Sequence, residues 1–269
     1  MDIQIFSPGA DCTFLINRYL LLNAKDLHEN IEDKFIPDGG IAFVFNFSGA
    51  VSVRSETTTY LLPPSFIVIP SPQSLIISTY PPLDTMVVNC KATVFTRLFN
   101  KNVSPPNEKP FLDASDIIPF ELWKKLKETS IFEKRKQIFE AFILTYLKSN
   151  YEPDNIDESY NVIMNSHGEE QVNKLLKNIE LNPRSFRRQF LARTGLSAKS
   201  LSRIVRINYL WNCFLQNNRA DFQSMVYDAN YHDQSHLIKD FKKVIGESPS
   251  HFFKRELYNT AFISGKITQ

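Results

Sequence analysis

Two stretches of the chain have the same layout: NPRSFRRQFLARTG at residues 182–195 and DQSHLIKDFKKVIG at residues 233–246. Each begins with Asn or Asp, which cap helix N-termini, and ends with glycine, which readily adopts the left-handed conformation that follows a helix. In each, two apolar residues four positions apart would lie on one side of a helix. The layout therefore predicts two short helices, one at residues 183–194 and one between Asp233 and Gly246, each burying one face.

Basic side chains occupy another face of both predicted helices. In the first helix they fall at i, i+3 and i+4, and they are Arg184, Arg187 and Arg188. In the second they form an outward stripe of His236, Lys239 and Lys243. A single basic helix face is as consistent with a solvated surface as with an anion-binding one. Its repetition on two similar helices favours an anionic partner.

Each predicted helix also follows a shorter apolar segment, at residues 172–179 and 222–229 respectively. A helix, a tight turn and a second helix form the helix-turn-helix motif. The second turn contains Asn230 and Tyr231, and asparagine tolerates the left-handed conformation that such a turn needs. Between the two units, apolar residues at helical spacing predict one long connecting helix at residues 198–216. The tail is therefore predicted to be two helix-turn-helix units held at a set distance.

This tail resembles the DNA-binding domain of the AraC/XylS family of bacterial transcription regulators. Residues 233–253 follow the family signature, residues 182–197 match its first unit, and the resemblance covers about residues 157–257. It implies that DNA is contacted by Arg184, Ser185, Arg187, Arg188, Gln234, Ser235, His236, Lys239 and Lys243. The chain departs from the family at two positions: Asn230 replaces the usual glycine of the second turn, and His236 replaces an aromatic residue. The second change alters what that helix can recognise.

Charge divides the chain in the same way. Residues 169–258 hold 15 Lys/Arg against 9 Asp/Glu, a net charge of +6, whereas residues 1–168 hold 15 against 20, a net of −5. A basic lobe binds phosphate through counterion release, so the acidic lobe is expected to have another role. No apolar run is long enough for a membrane span and no leader pattern precedes one, so a cytoplasmic protein is expected.

The first hundred residues predict short strands, each bounded by turn-forming residues. The predicted ranges are 13–22, 41–47, 51–54, 57–62, 66–69, 75–80 and 85–90. The segment 37–47, with Gly39, Gly40 and Phe45-Asn46-Phe47, resembles the cupin-like N-terminal domain of one branch of the same family. The expected fold class is therefore α+β: a cupin-like β-barrel or sandwich with a helical pair, followed by an all-α domain.

The interior of this β domain is predicted to be apolar and rich in aromatic residues, which either simply fill it or surround a small-molecule pocket. The candidate ligand contacts are Arg18, Phe45, Asn46, Arg54 and Tyr60. His28 is the only histidine before residue 167, so the histidine cluster of metal-dependent cupins cannot form. No catalytic sequence motif is present. We therefore expect no metal, no cofactor and no enzymatic activity.

Residues 119–149 show two amphipathic helical patterns, with the basic run Lys134-Arg135-Lys136 on the polar side. Such a pair packs either on its own barrel or on the same pair of a second chain, and the family resemblance favours a homodimer. Residues 151–159, with Pro153 and four carboxylates, predict a linker. The predicted division is a β domain at 1–115, a helical pair at 116–150, the linker, and the DNA-binding domain at 160–260.

Taken together, these patterns predict a sequence-specific transcription regulator whose two recognition helices enter successive major-groove segments of double-stranded DNA. Its further expected partners are a small-molecule effector, a second copy of the chain and, if it is an activator, RNA polymerase. Two alternatives stay open. One is a ligand-independent regulator whose β domain is only a scaffold. The other is a cupin-type enzyme tethered to a DNA-targeting module.

Overall fold

A computed structural model describes residues 1–25, 27–55, 58–101, 103, 109–147, 150–168, 182–217, 231 and 233–266. Its N-terminal part is an antiparallel sheet of eight strands in these residues. They are β1 (Asp2–Phe6), β2 (Ile16–Ala24), β3 (Ile31–Phe35), β4 (Ile41–Ser55), β5 (Thr58–Leu61), β6 (Ser65–Val68), β7 (Leu75–Cys90) and β8 (Phe111–Asp113). The predicted α+β class is confirmed.

Two long strands organise this sheet. The strand order is β1-β2-β7-β4-β6-β8, while β3 pairs with β7 and β5 pairs with β4. Sequence patterns predicted β4 as two strands, 41–47 and 51–54, but the structure joins them through register shifts between Asn46 and Ala50. Similarly, β7 joins the predicted strands 75–80 and 85–90. Each long strand therefore pairs with different neighbours along its length and curls the sheet.

The two faces of the curled sheet are buried in different environments. Because side chains alternate along a strand, Phe43 and Phe45 point to one face of β4 and Val44 to the other. The phenylalanine face packs against helices, with the ring of Phe139 centred 5.5 Å from Phe43 and 5.4 Å from Phe45. The opposite face encloses a second apolar cluster around Val44, Val53 and other aliphatic residues.

The helices pack on one face of the sheet and form the C-terminal region, except for the last one, which lies on the other face. They are α1 (Ala92–Phe99), α2 (Phe120–Glu128), α3 (Phe132–Leu144), α4 (Asn155–Asn165), α5 (Pro183–Thr194), α6 (Ala198–Asn217), α7 (Gln234–Ile245), α8 (Pro249–Phe252) and α9 (Tyr258–Ile263). The predicted helical pair, the helix at 183–194, the long connecting helix and the helix after Asp233 are confirmed. The predicted segments 172–179 and 222–229, and Asn230, lie outside the described residues.

Two charged stretches differ from their predicted environments. Arg135 was placed on the polar side of its helix, but its side chain is 3% exposed and donates two hydrogen bonds to the carboxylate of Asp84. The guanidinium also lies 3.9 Å from the ring of Phe47. Sequence periodicity could not show this burial, because the carboxylate partner comes from β7.

The predicted linker is also partly helical. Residues 155–159 begin α4, because the Asp154 carboxylate caps its first turn by accepting hydrogen bonds from the amides of Ile156 and Asp157. Asp157, one of the four carboxylates that suggested a solvated linker, has a side chain only 2% exposed and pairs with arginines. Charge content alone did not distinguish a solvated carboxylate from a buried, paired one.

Candidate nucleic-acid interface

The first candidate recognition helix, α5, begins and ends at the predicted residues. The Asn182 side chain accepts a hydrogen bond from the amide of Ser185, Pro183 occupies the first turn, and Gly195 follows the helix with φ of 70°. Phe186 and Phe190 are fully buried. Arg184, Arg187 and Arg188 are exposed, and Ser185 is half-buried. The predicted basic face of α5 is therefore accessible.

The second candidate recognition helix, α7, has the same construction. The Asp233 carboxylate accepts a hydrogen bond from the amide of His236, and Gly246 follows the helix with φ of 87°. Leu237 and Phe241 are buried beneath it. Its exposed polar residues are Gln234, Ser235, His236, Lys239, Lys242 and Lys243. All candidate DNA contacts on α7 therefore lie on the accessible side.

Most of these basic groups have no charged partner among the residues that the structure describes. Within the described residues, neither the three arginines of α5 nor Lys239 and Lys243 form an ion pair, whereas most other arginines do. His236 is the candidate with intramolecular contacts, since its Nε2 lies 3.7 Å from Asp240 and its ring packs edge-on against Tyr231. An exposed arginine without a carboxylate partner keeps all its donors available for an anion.

Asp240 is a buried positioning residue that the sequence patterns did not indicate. It is 4% exposed and lies on α7, where its carboxylate is 2.6 Å from Nε of Arg203 and 3.5 Å from Arg206, both on α6. The Tyr231 hydroxyl, 3.5 Å away, also donates to it. This network sets α7 on the connecting helix. The sequence did contain a signal for this ion pair. Arg203 and Arg206 are spaced i, i+3 on α6, and Asp240 is the acidic residue within the otherwise basic α7.

The C-terminal end of α5 is attached to the β domain. Arg193 donates hydrogen bonds to the carbonyl of Thr93, where α1 begins, and pairs with Asp154 at 2.5 Å and Asp157 at 2.6 Å. Thr96 donates in turn to the Arg193 carbonyl at 3.2 Å. Burial by itself would raise the pKa of Asp157, but hydrogen bonds from Tyr151 and the Asp154 amide, with the charge of Arg193, hold it below its usual value.

The C-terminal end of α7 is attached to the β domain as well. Lys34 of β3 donates to the carbonyl of Ile245 at 2.8 Å and to the carboxylate of Glu247 at 2.6 Å. The Ser74 amide donates to the Val244 carbonyl at 2.7 Å. Burial by itself would raise the pKa of Glu247, but hydrogen bonds from Lys34 and His251 hold it below its usual value. The β domain thus binds the last carbonyl groups of this candidate recognition helix.

The second apolar face of the sheet encloses a cavity of about 110 Å³. Its wall is built from aliphatic and aromatic side chains such as Leu20, Val44 and Phe66, with Phe262 and Ile263 from the C-terminal helix. Asp38, Asn89 and Ser264 are among the polar residues that line it. A pocket of this kind is suited to a small, mainly apolar molecule.

None of the five candidate ligand contacts lines this cavity. Phe45 lies on the helix-facing side of the sheet, and Asn46 is hydrogen-bonded to Thr85 and to the carbonyl of Gly49. The other three are engaged at the periphery: Arg18 lies 3.6 Å from Asp38, Arg54 lies 2.9 Å from Glu32, and the Tyr60 ring packs on Phe111. Alternation along β4 explains the position of Phe45, because Phe45 and the cavity-lining Val44 point to opposite faces of the sheet.

Two other kinds of feature, a metal-ligand cluster and a membrane-spanning helix, are absent from the described ranges. There, no three His, Cys, Asp or Glu side chains are grouped as metal ligands would be. No described helix has both the length and the apolar content needed to cross a bilayer.

Comparison with known proteins bears on the C-terminal region. Residues 175–255 match the model of a family described as a helix-turn-helix domain. No curated protein matches the chain. Among solved structures, ToxT from Vibrio cholerae O395 is similar at 12% identity, covering 88% of this chain and 96% of that chain, with a TM-score of 0.46.

Two further solved structures are similar to this chain, with comparable or lower sequence identity and TM-score. Wild-type ToxT from Vibrio cholerae strain SCE256, bound to an unsaturated fatty acid, has 12% identity, covers 87% of this chain and 94% of its own, and gives a TM-score of 0.45. The AraC-like transcriptional activator CuxR has 9% identity, covers 98% and 88%, and gives 0.25. Identities and TM-scores this low show nothing about function, so the assignment of the C-terminal region rests on the helix-turn-helix match.

Proposed function

We propose that this chain is a DNA-binding transcriptional regulator with an AraC-type helix-turn-helix domain in its C-terminal region, and that α5 and α7 enter successive major-groove segments of one duplex. One turn of B-DNA separates such segments by about 34 Å. The long helix α6 connects the two recognition helices and packs on both through a shared core. A single chain would then cover about two turns of DNA.

The observation that carries this proposal is the accessible basic face on both recognition helices. Its arginines and lysines have no carboxylate partners in the described part of the chain, while their apolar faces are buried. Arg184, Arg187 and Arg188 would supply contacts from α5, and Gln234, His236 and Lys239 from α7. Arginine binds both guanine edges and phosphates, so the division between these targets is a matter for mutagenesis.

The proposal extends to the β domain, which we assign to sensing a small molecule rather than to catalysis. Its apolar cavity supports this role, and the contacts of Lys34 and Ser74 with the end of α7 supply a physical connection to the DNA-binding surface. A ligand that changes the β domain can bias the DNA-binding domain only through such differential contacts.

A homodimer through the helical pair is the remaining part of the proposal. Phe120 of α2 is 69% exposed and Ile131, which precedes α3, is 55% exposed. These two large apolar side chains give a second chain an exposed apolar surface to bury on the helical pair. Sedimentation of the wild-type chain and of a Phe120→Ser, Ile131→Ser variant tests it: only the wild type should sediment as a dimer.

The decisive experiment for DNA binding is selection from a randomised duplex pool at two salt concentrations. We expect the retained sequences to share two conserved blocks separated by one helical turn. A pool that yields no motif, with binding that disappears at the higher salt, would show that the basic surface provides only nonspecific affinity.

A further inference from the structure

The C-terminal helix α9 forms part of the wall of the β-domain cavity. It lies against β3, and its Phe262 and Ile263 side chains, 2% and 9% exposed, line the cavity. Gly265 follows with φ of 64°, and a Cβ atom there would lie 2.4 Å from the side chain of Leu20. A segment from the far end of the chain therefore closes a cavity whose other walls come from the N-terminal domain.

Few polar contacts hold this segment in place, and most of them lead to the N-terminal domain. The Ile36 amide donates to the Ser264 hydroxyl at 2.9 Å, and that hydroxyl donates to the Lys34 carbonyl at 3.5 Å. The Tyr258 hydroxyl donates to the Met1 carbonyl at 3.2 Å. The helix-turn-helix match ends at residue 255, before α9 begins. The segment is therefore an addition to the DNA-binding domain, with its apolar side inside the other domain.

The polar atoms of the cavity restrict what else can occupy it. Oδ1 of Asn89 is buried and has no hydrogen-bond partner in the described structure, while Nδ2 of Asn89 donates to Asp38 at 3.5 Å. Of the described residues that line the cavity, Asp38 is the charged one, and its carboxylate is already paired with Arg18 at 3.6 Å, so an ionised ligand would find no free opposite charge in this lining. An unsatisfied buried carbonyl oxygen is costly and favours a ligand with a hydrogen-bond donor. The remaining wall is largely apolar.

We propose that residues 258–265 are an intramolecular plug of the β-domain cavity, and that an uncharged apolar ligand with one hydrogen-bond donor displaces the plug. The ligand would occupy the space of Phe262 and Ile263 and donate to Asn89. This inference rests on the proposed sensing role of the β domain and specifies its ligand class and its mechanism.

Displacement of the plug would reach the DNA-binding surface through β3. This strand holds the plug through the Lys34 carbonyl and, through the Lys34 ammonium group, holds the end of α7. Arg255, between α7 and α9 in the chain, also lies 3.4 Å from Asp33 of the same strand. Loss of the plug therefore removes contacts from the strand that positions α7.

Hydrogen exchange with 1-octanol as the probe tests displacement in the wild-type chain. We expect octanol to slow amide exchange in the strands that line the cavity and to accelerate it in residues 258–265. Slower or unchanged exchange in residues 258–265 with octanol bound would overturn the proposal, because the ligand would then share the cavity with the plug.

Affinity measurements on variants provide a second test. Phe262→Ala should bind octanol about tenfold more tightly than wild type, because the closed state no longer competes as strongly. Asn259→Ala, an exposed position on the same helix, should bind like wild type. Should Phe262→Ala fail to fold, Phe262→Leu should show a smaller gain. Equal affinity of the folded variant and wild type, or no binding to either, would contradict the plug.

Ligands that differ only in their head group test the proposed ligand class. Octanol should bind more tightly than octanoate or octylamine, which share its chain, and a reversed order would overturn the uncharged assignment. DNA selection on the same protein separates the two proposals. If octanol displaces the plug but the protein selects no DNA motif, the plug proposal holds and the proposed DNA recognition fails. If the protein selects a motif but octanol does not displace the plug, only the plug proposal fails.

Discussion

At the scale of single residues, the difference between paired and unpaired arginines separates structural roles from the proposed DNA-binding ones. Arg135 and Arg193 are largely buried and bonded to carboxylates. Arg187 is exposed and has no such partner in the described ranges. Removing the paired residues should therefore affect folding, whereas removing Arg187 should affect binding alone.

Arg187→Ala is expected to weaken binding to the selected DNA by about 1–3 kcal/mol and to relax specificity at one base pair, if its guanidinium bonds a guanine edge. Fluorescence anisotropy on the preferred duplex and its single-base variants measures both effects. The matched control is Lys124→Ala, an exposed basic residue on α2 that should leave affinity unchanged. An equal loss on all sequences, with a shallower salt dependence, would instead assign Arg187 to a phosphate.

Asp157→Asn is expected to lower the free energy of unfolding by about 1.5–3 kcal/mol at neutral pH, because it removes charge-assisted hydrogen bonds to buried partners. The folded-state pKa of Asp157 is lowered, so its contribution is present above the unfolded pKa of about 4 and is lost as pH falls through the folded value. Urea unfolding at pH 7 and at pH 3 measures it. The wild-type advantage should shrink at pH 3; an advantage independent of pH would contradict the ionic role.

At the scale of elements, α7, the second proposed recognition helix, depends on the β domain for its C-terminal end. The last carbonyl groups of a helix have no partner within the helix, and those of Val244 and Ile245 are bonded by Ser74 and Lys34. A positive charge at this end also stabilises the helix dipole. The orientation of α7 is therefore set partly outside its own domain.

Lys34→Met should keep the aliphatic packing but remove these contacts, costing about 1–3 kcal/mol and accelerating amide exchange at the end of α7. Lys25→Met, at an exposed position after β2, serves as the control. A double-mutant cycle with Glu247→Gln isolates the ion pair and should give a coupling energy clearly above zero. Purely additive effects would show that Lys34 acts through the Ile245 carbonyl alone.

At the scale of the whole molecule, the acidic and basic lobes share one apolar core. The same buried cluster contains Phe45 and Phe139 of the N-terminal part and Phe190 and Trp211 of the C-terminal part. The difference in charge between the lobes does not divide this core. Two lobes that bury each other's apolar surface are expected to unfold together.

Each of the two tryptophans reports on one lobe, Trp123 from α2 and Trp211 from α6. We expect the single-tryptophan variants Trp123→Phe and Trp211→Phe each to show urea transitions by fluorescence that coincide with their circular dichroism transitions. Comparison within each variant removes the effect of the substitution on stability. A fluorescence midpoint displaced from the dichroism midpoint in either variant would show that one lobe unfolds first.

The sequence predicted the recognition helices well because their limits depend on local chemistry. Asn182 and Asp233 as caps and Gly195 and Gly246 after the last turn act within a few residues, and the structure confirms them. The strands were less predictable. Whether a break at Ser48 ends a strand or bends it depends on neighbours in β7, thirty or more residues away.

The amino-acid sequence by itself determined the C-terminal helices, their basic faces and the division of charge, because helix periodicity and capping are short-range properties. Only the tertiary structure decided that Arg135 and Asp157 are buried, that Asp240 joins α6 to α7, and that α9 closes the cavity of the β domain. Each of these depends on a contact between residues distant in the chain. Their free energy comes from burial and pairing in space, which a local pattern of residues does not encode.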